Sequence, residues 1–202
     1  MGILFKVKIK NIIIYPLGGI TKFEMPVNIE KYKELLILLM GPLFQVLAYC
    51  VLLLILPSYR ETITFYHLNI LLFNLLPIYP LDGGKILNIF ISEFMPFKKS
   101  LILSIIISYL TSILLFVKLD KKLLNIIIME LLLIILITKE YRKINYIYNK
   151  FLLERYLNSY RFRRVNIIKN EENMYRDHRH LLKKEGKYYT ESEFLTKKYK
   201  KS

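Results

Sequence analysis

The run Asn74-Leu75-Leu76-Pro77-Ile78-Tyr79-Pro80-Leu81-Asp82-Gly83-Gly84-Lys85 places one carboxylate, two prolines and a glycine pair inside a long apolar stretch. A carboxylate at membrane depth is costly to desolvate. It faces protein or water rather than lipid, and it marks a functional site by default. Pro77 and Pro80 lack backbone donors and break a helix. Gly83 and Gly84 carry no Cβ and let another chain or a ligand approach closely. Broken backbone in a bilayer survives only where protein buries it or where it lines a cavity. These residues describe a wet pocket holding one acid. A proline-kinked helix with a structural Asp is the plainer reading, and the residues alone do not separate the two.

Three other groups could join that chemistry. Lys85, three residues after Asp82, can snorkel to the membrane surface or pair with the carboxylate. His67 lies 15 residues before Asp82, roughly 22 Å along a helix. The two cannot share a metal unless the chain folds back, so His67 reads as an interfacial residue at the outer end of its span. Glu130 sits in a second apolar run, where the default is a partner on a neighbouring helix; a proton or metal role is the alternative.

The elements that must position these groups are mainly helical. Residues 3–15 alternate apolar and Lys between Phe5 and Lys10, the period of a strand. Pro16-Leu17-Gly18-Gly19 is a turn, and Ile20–Val27 can return as a second strand. Such a ribbon could take up an extended peptide at its edge, or be an ordinary hairpin at the membrane surface. Four apolar runs follow: 34–56, 64–95 interrupted at 77–84, 101–117 and 123–138. The first is long enough to span a bilayer, which needs ~20 helical residues. The spacing therefore predicts a polytopic membrane bundle of about four spans. The expected organisation is a β-ribbon over 1–33, a transmembrane bundle over 34–138 carrying the Asp-Gly-Gly site, and a basic tail over 139–202.

Composition agrees with a membrane protein. The 202 residues are 54% hydrophobic with net charge +15. From Lys139 onward, 18 Lys and Arg face 8 Asp and Glu. A basic segment after apolar spans reads as cytoplasmic and membrane-facing. No nucleic-acid motif accompanies the charge, and no nucleic-acid partner is expected. The single cysteine, Cys50, excludes a disulfide framework. Six lysines precede the first span, so the N-terminus, the Lys98 loop and the tail share the cytoplasmic side. The lysines at 118, 121 and 122 run modestly against this. Asp82 then falls near the cytoplasmic end of its segment. The tail is expected to be partly helical and surface-bound, with His178-Arg179-His180 in a solvated loop.

The order Asn-x-x-Pro-x-x-Pro-x-Asp-Gly-Gly resembles the second signature of the site-2 protease family of intramembrane zinc metalloproteases. Phe65-Tyr66, Phe73-Asn74, Pro16-Leu17-Gly18-Gly19, Gly41-Pro42-Leu43 and Phe151-Leu152-Leu153-Glu154-Arg155-Tyr156 agree in order with its sporulation branch. The resemblance covers roughly residues 3–157. It implies that Asp82 is a zinc ligand, that Asn74, Pro77 and Pro80 contact substrate, and that the substrate is a membrane-associated sigma-factor precursor, with membrane regulatory proteins as further partners. The family has Asn three residues after the Gly-Pro proline, where this chain has Gln45.

Site-2 proteases also carry His-Glu-x-x-His, two ligands and a general base on one helix face. None of His67, His178 and His180 stands in such a motif. On the resemblance, one of three zinc ligands is present and no catalytic base. The expectation is therefore the C-terminal portion of a zinc endopeptidase, inactive alone. A catalytically dead remnant acting as a membrane scaffold is the alternative.

Overall fold

The computed structural model describes residues 8–15, 18–24, 26–118, 124–158, 160, 162, 164–184 and 186–200. At its start, β1 (Lys8–Tyr15) and β2 (Gly18–Glu24) pair antiparallel, Tyr15 opposite Gly18 and Lys8 opposite Glu24, with a register shift between Ile9 and Asn11. The alternation in the sequence is thus a ribbon. Residues 1–7, the Pro16-Leu17 part of the expected turn and Met25 lie outside the described residues.

Five helices follow: α1 (Lys31–Ile55), α2 (Arg60–Asn74), α3 (Asp82–Phe94), α4 (Phe97–Lys118) and α5 (Leu124–Leu157). The helix α4 packs between α3 and α5, while α1 lies on α2 and α3. Serines 100, 104, 108 and 112 recur every fourth residue along α4, and all are buried. Small side chains on one helix face let neighbouring backbones come close. Their hydroxyls are satisfied locally: Ser104 donates to the Ser100 carbonyl (2.8 Å) and Ser108 to that of Ser104 (2.7 Å). The Asn88 amide of α3 donates to Ser104 Oγ at 2.9 Å. The period was visible in a run that reads otherwise only as uncharged.

Two helices, Lys31–Ile55 and Phe97–Val117, are long and apolar enough to cross a membrane. No residue of α1 is buried within the protein, as lipid contact would require of an apolar helix. The expected second segment is two helices of 15 and 13 residues, broken where the prolines lie. The expected fourth run is the first half of α5, which continues without interruption past Lys139. At 34 residues it is about 51 Å long. The lysines expected at 121 and 122 lie outside the described residues.

After α5 come β3 (Arg164–Ile168), β4 (His178–Lys184), β5 (Lys187–Thr190) and α6 (Glu191–Lys200). The sheet order is β3-β4-β5, with β3 and β4 parallel and β4 and β5 antiparallel. Thr190 and Glu193 cap α6 reciprocally: Glu193 Oε2 accepts from Thr190 N (2.8 Å) and Thr190 Oγ1 from Glu193 N (3.3 Å). The expected tail, partly helical, thus carries a three-stranded sheet as well, and the solvated loop expected at 178–180 is corrected. His178-Arg179-His180 opens a strand, and His180 is wholly buried. Burial succeeds because its polar atoms are paired. His180 Nε2 accepts from Tyr175 N at 2.9 Å, which places the ring proton on Nδ1, 3.3 Å from Glu191 Oε2. Desolvation holds the imidazole below its ordinary pKa despite that carboxylate.

Arg155, near the far end of α5, is the knot. Its side chain is 1% exposed and meets Glu191 Oε1 at 2.9 Å. It also donates to the carbonyls of His178 (2.9 Å) and Tyr175 (2.8 Å) and to Asn28 Oδ1 (2.8 Å). Phe151 and Phe162 flank its guanidinium at 4.6 and 4.8 Å. Removing one partner of a buried pair costs about 3–5 kcal/mol because the other charge is left uncompensated. Arg155→Met is therefore expected to release the segment after α5, read as rapid limited proteolysis between residues 158 and 200 while the helices stay protected. Unchanged proteolysis would show that the knot is dispensable.

Candidate active site

The helix α2 ends at Asn74 because Pro77 cannot continue its ladder. The chain tightens there: Leu76 N donates to Phe73 O (3.2 Å) and Ile78 N to Leu76 O (2.7 Å). A turn closed by Leu81 N on Ile78 O (2.8 Å) then carries the chain through a cis Tyr79–Pro80 bond. Tyr79 N, left without a backbone acceptor, donates to Ser108 Oγ of α4 at 2.7 Å. The loop 75–81 is thereby tied to the bundle on its far side. Pro77 and Pro80 are half-buried in it.

Asp82 is the first residue of α3. A helix N-terminus carries partial positive charge and favours a carboxylate. The side chain keeps 30% of its surface exposed, and Lys85 Nζ lies 3.4 Å from Oδ1. The sequence left Lys85 between snorkelling and pairing; the structure places it as Asp82's partner. On the other side is α1: a Cβ added to Gly41 would stand 3.0 Å from Asp82 Oδ2. The Gly-Pro pair of the first span thus lies directly against the acid.

The glycine pair has a definite steric task. A Cβ on Gly83 would meet Leu75 O at 2.2 Å and Leu76 O at 2.5 Å; one on Gly84 would meet Ile78 C at 2.4 Å and Tyr79 N at 2.5 Å. The close approach foreseen for these glycines is made by the chain's own preceding loop. Asn74 is half-buried, and among the described residues its amide has no hydrogen-bond partner. A cavity of about 140 Å³ opens beside the loop, lined by Tyr79, Asn88, Glu34 and Arg176 with apolar neighbours. Arg176 closes it through an ion pair with Glu34 at 2.7 Å. Sequence reasoning did not reach Arg176, which arrives from the segment after α5.

The other ionisable groups stay apart from Asp82 in the contacts they make. His67 stacks on Tyr49 of α1, with ring centroids 4.2 Å apart, and its carbonyl accepts from Gln45 Nε2 at 3.0 Å. Gln45 therefore serves the α1–α2 contact. Glu130 is buried and accepts from Ser112 on α4, the neighbouring-helix partner expected of it. Among the described residues, no three His, Cys, Asp or Glu side chains converge as a metal site. A catalytic zinc takes three protein ligands. Asp82 alone does not fit one.

The site is thus a broken helix pair, closed by the contact of Gly83 and Gly84 with the preceding loop and presenting one carboxylate. Residues 56–117, which contain the whole Asn74–Lys85 run, match peptidase family M50, the site-2 protease family. The chain is 36% identical over 106 residues to the stage IV sporulation protein FB of Bacillus subtilis, covering 50% of this chain and 37% of that one. It is 34% identical over 105 residues to a zinc metalloprotease of Methanocaldococcus jannaschii, covering 48% and 30%. The chain thus spans about a third of the length of these relatives.

Proposed function

We propose that this chain is part of an intramembrane zinc metalloendopeptidase, with Asp82 as one zinc ligand and Asn74, Pro77 and Pro80 along the substrate path. The observation that carries the reading is the Asp82 carboxylate. It is held at the head of α3 by backbone contact, partly exposed, and balanced by a single lysine 3.4 Å away. A zinc completed by two ligands from outside this chain would supply an activated water there. This chain's residues would position the substrate. Asn74 offers an unused amide to an unwound peptide. The loop 75–81 holds backbone open at membrane depth, and α1 stands against the acid. The substrate is a membrane-associated precursor protein, and the sporulation relative supports a sigma-factor precursor cut during spore formation, under membrane regulatory proteins. The helices cross the bilayer several times with the basic C-terminal segment in the cytoplasm, a placement supported by its charge excess.

A pseudoprotease scaffold is the second reading. It is favoured by the solitary carboxylate: among the described residues no second or third ligand joins Asp82. The zinc content of the completed protein separates the two. The chain alone is expected to retain far less than one zinc after mild chelation, since one carboxylate is short of a closed site. Fused to or co-expressed with a His-Glu-x-x-His helix, it is expected to retain one zinc and to cleave a membrane-tethered peptide. Failure of the completed protein to hold zinc sinks the enzyme reading.

A further inference from the structure

The sheet after α5 is covered on one side only. Alternate residues of a strand point to opposite faces. Ile168, His180 and Leu182 are buried on the face that meets α5 and α6. The opposite face carries Val165 (54% exposed), Ile167 (63%) and Tyr188 (55%), with half-buried Leu181 and exposed Arg179 and Lys183. The register sets Val165 beside Arg179, Ile167 beside Leu181, and Lys183 beside Tyr188, whose ring lies 5.5 Å from the ammonium. Among the described residues no carboxylate falls on this face. It is apolar and cationic at once.

Its edge strand is joined to the helical bundle. Arg164 Nη1 of β3 lies 3.5 Å from Glu93 Oε1, next to the last residue of α3. Phe90 and Phe94 of that same helix end are 58% and 80% exposed, as side chains in contact with lipid are. The contact sets the start of β3 beside the exposed apolar end of α3. An apolar patch flanked by cations, on a sheet beside an exposed apolar helix end, matches the chemistry of the bilayer interface, where aliphatic groups and Tyr enter the headgroup layer and Lys and Arg meet anionic lipid.

We propose that the bare face of this sheet rests on anionic phospholipid headgroups and holds the segment after α5 against the bilayer. The proposal rests on the membrane placement of the helices and not on the zinc reading. The chain contains no Trp, so Ile167→Trp supplies a single reporter. The full chain is reconstituted into vesicles of phosphatidylcholine, with or without phosphatidylglycerol. Expected is a blue-shifted emission, quenched by lipids with brominated acyl chains, in the anionic vesicles only. Arg179→Gln with Lys183→Gln should lower the bound population about thirty-fold, because each cation near such a surface is worth about 1 kcal/mol. Tyr188→Trp reports from the same face should the first substitution misfold. Phe44→Trp on α1 should be quenched in both vesicles, which establishes insertion independently. A water-exposed reporter in both vesicles, with Phe44→Trp quenched, overturns the proposal. So does a shift that appears only on adding polyglutamate, which would make the face a site for acidic polypeptide. An unquenched Phe44→Trp removes the membrane placement and the proposal with it.

Discussion

In a chain completed with a His-Glu-x-x-His helix, Asp82→Asn is expected to abolish peptide cleavage. The substitution keeps the size of the side chain and much of its hydrogen bonding but removes the anionic ligand. Outer-shell groups at metal sites typically cost about 10–100-fold when changed; a direct ligand should cost at least about 100-fold in zinc affinity by the same scale. Asp82→Glu keeps the charge but adds a methylene against α1, where Oδ2 already lies 3.0 Å from the position a Gly41 Cβ would take. A trace of activity at most is expected. Glu130→Gln should be mild, because its carboxylate serves Ser112 across the α4–α5 contact. The decisive measurement is cleavage rate beside zinc content for all three proteins. A fully active Asp82→Asn with a dead Glu130→Gln would move the site to the other carboxylate.

Gly83→Ala and Gly84→Ala are expected to unfold the site rather than tune it. Overpacking by one methyl group in a well-packed core costs typically about 1–3 kcal/mol when side chains can move aside. Here the obstacles at 2.2 to 2.6 Å are backbone atoms of residues 75, 76, 78 and 79, which the bond from Tyr79 N to Ser108 holds in place. The cost should therefore exceed that range. Gly186→Ala is the internal comparison. Its φ of +77° disfavours a side chain, yet nothing lies within 4 Å, so only the local conformational penalty of about 1–2 kcal/mol applies. Thermal unfolding in detergent should rank Gly83→Ala and Gly84→Ala well below Gly186→Ala. The reverse order would mean that the loop yields freely.

The break at Pro77–Gly84 and the ribbon were legible because each is written in local sequence: missing donors and period-two alternation. The folded segment after α5 was not. Its core is built from His180, Arg155 and Glu191 as much as from Leu182 and Leu195, and buried ionic residues read as solvated ones until their partners are known. Those partners are remote: Asn28 and Arg155 stand 127 positions apart. The Thr190–Glu193 capping pattern was the one local signal of that fold. The neighbours of Asp82 divided the same way. Lys85, at helical spacing, was foreseeable, whereas Gly41, 41 residues upstream, became its neighbour only through the packing of α1 on α3.

The helix α1 is tied to α2 through Gln45 and Tyr49 and, at its start, to α3 and the segment after α5 through ion pairs. Lys31 meets Asp177 at 2.7 Å and Glu93 at 2.8 Å, Glu34 meets Arg176, and Asn28 meets Arg155. Ten residues on, about 15 Å along the axis, Gly41 faces Asp82. Between those points α1 is a straight rule whose zero mark is set by the segment after α5. A screw motion of a single residue, about 1.5 Å along and about 100° round the axis, would carry Met40 or Pro42 toward the place that Gly41 leaves open. The clearance beside the carboxylate is thus a length measured from the far side of the molecule, and whatever shifts the ion pairs at Lys31 and Glu34 resets it.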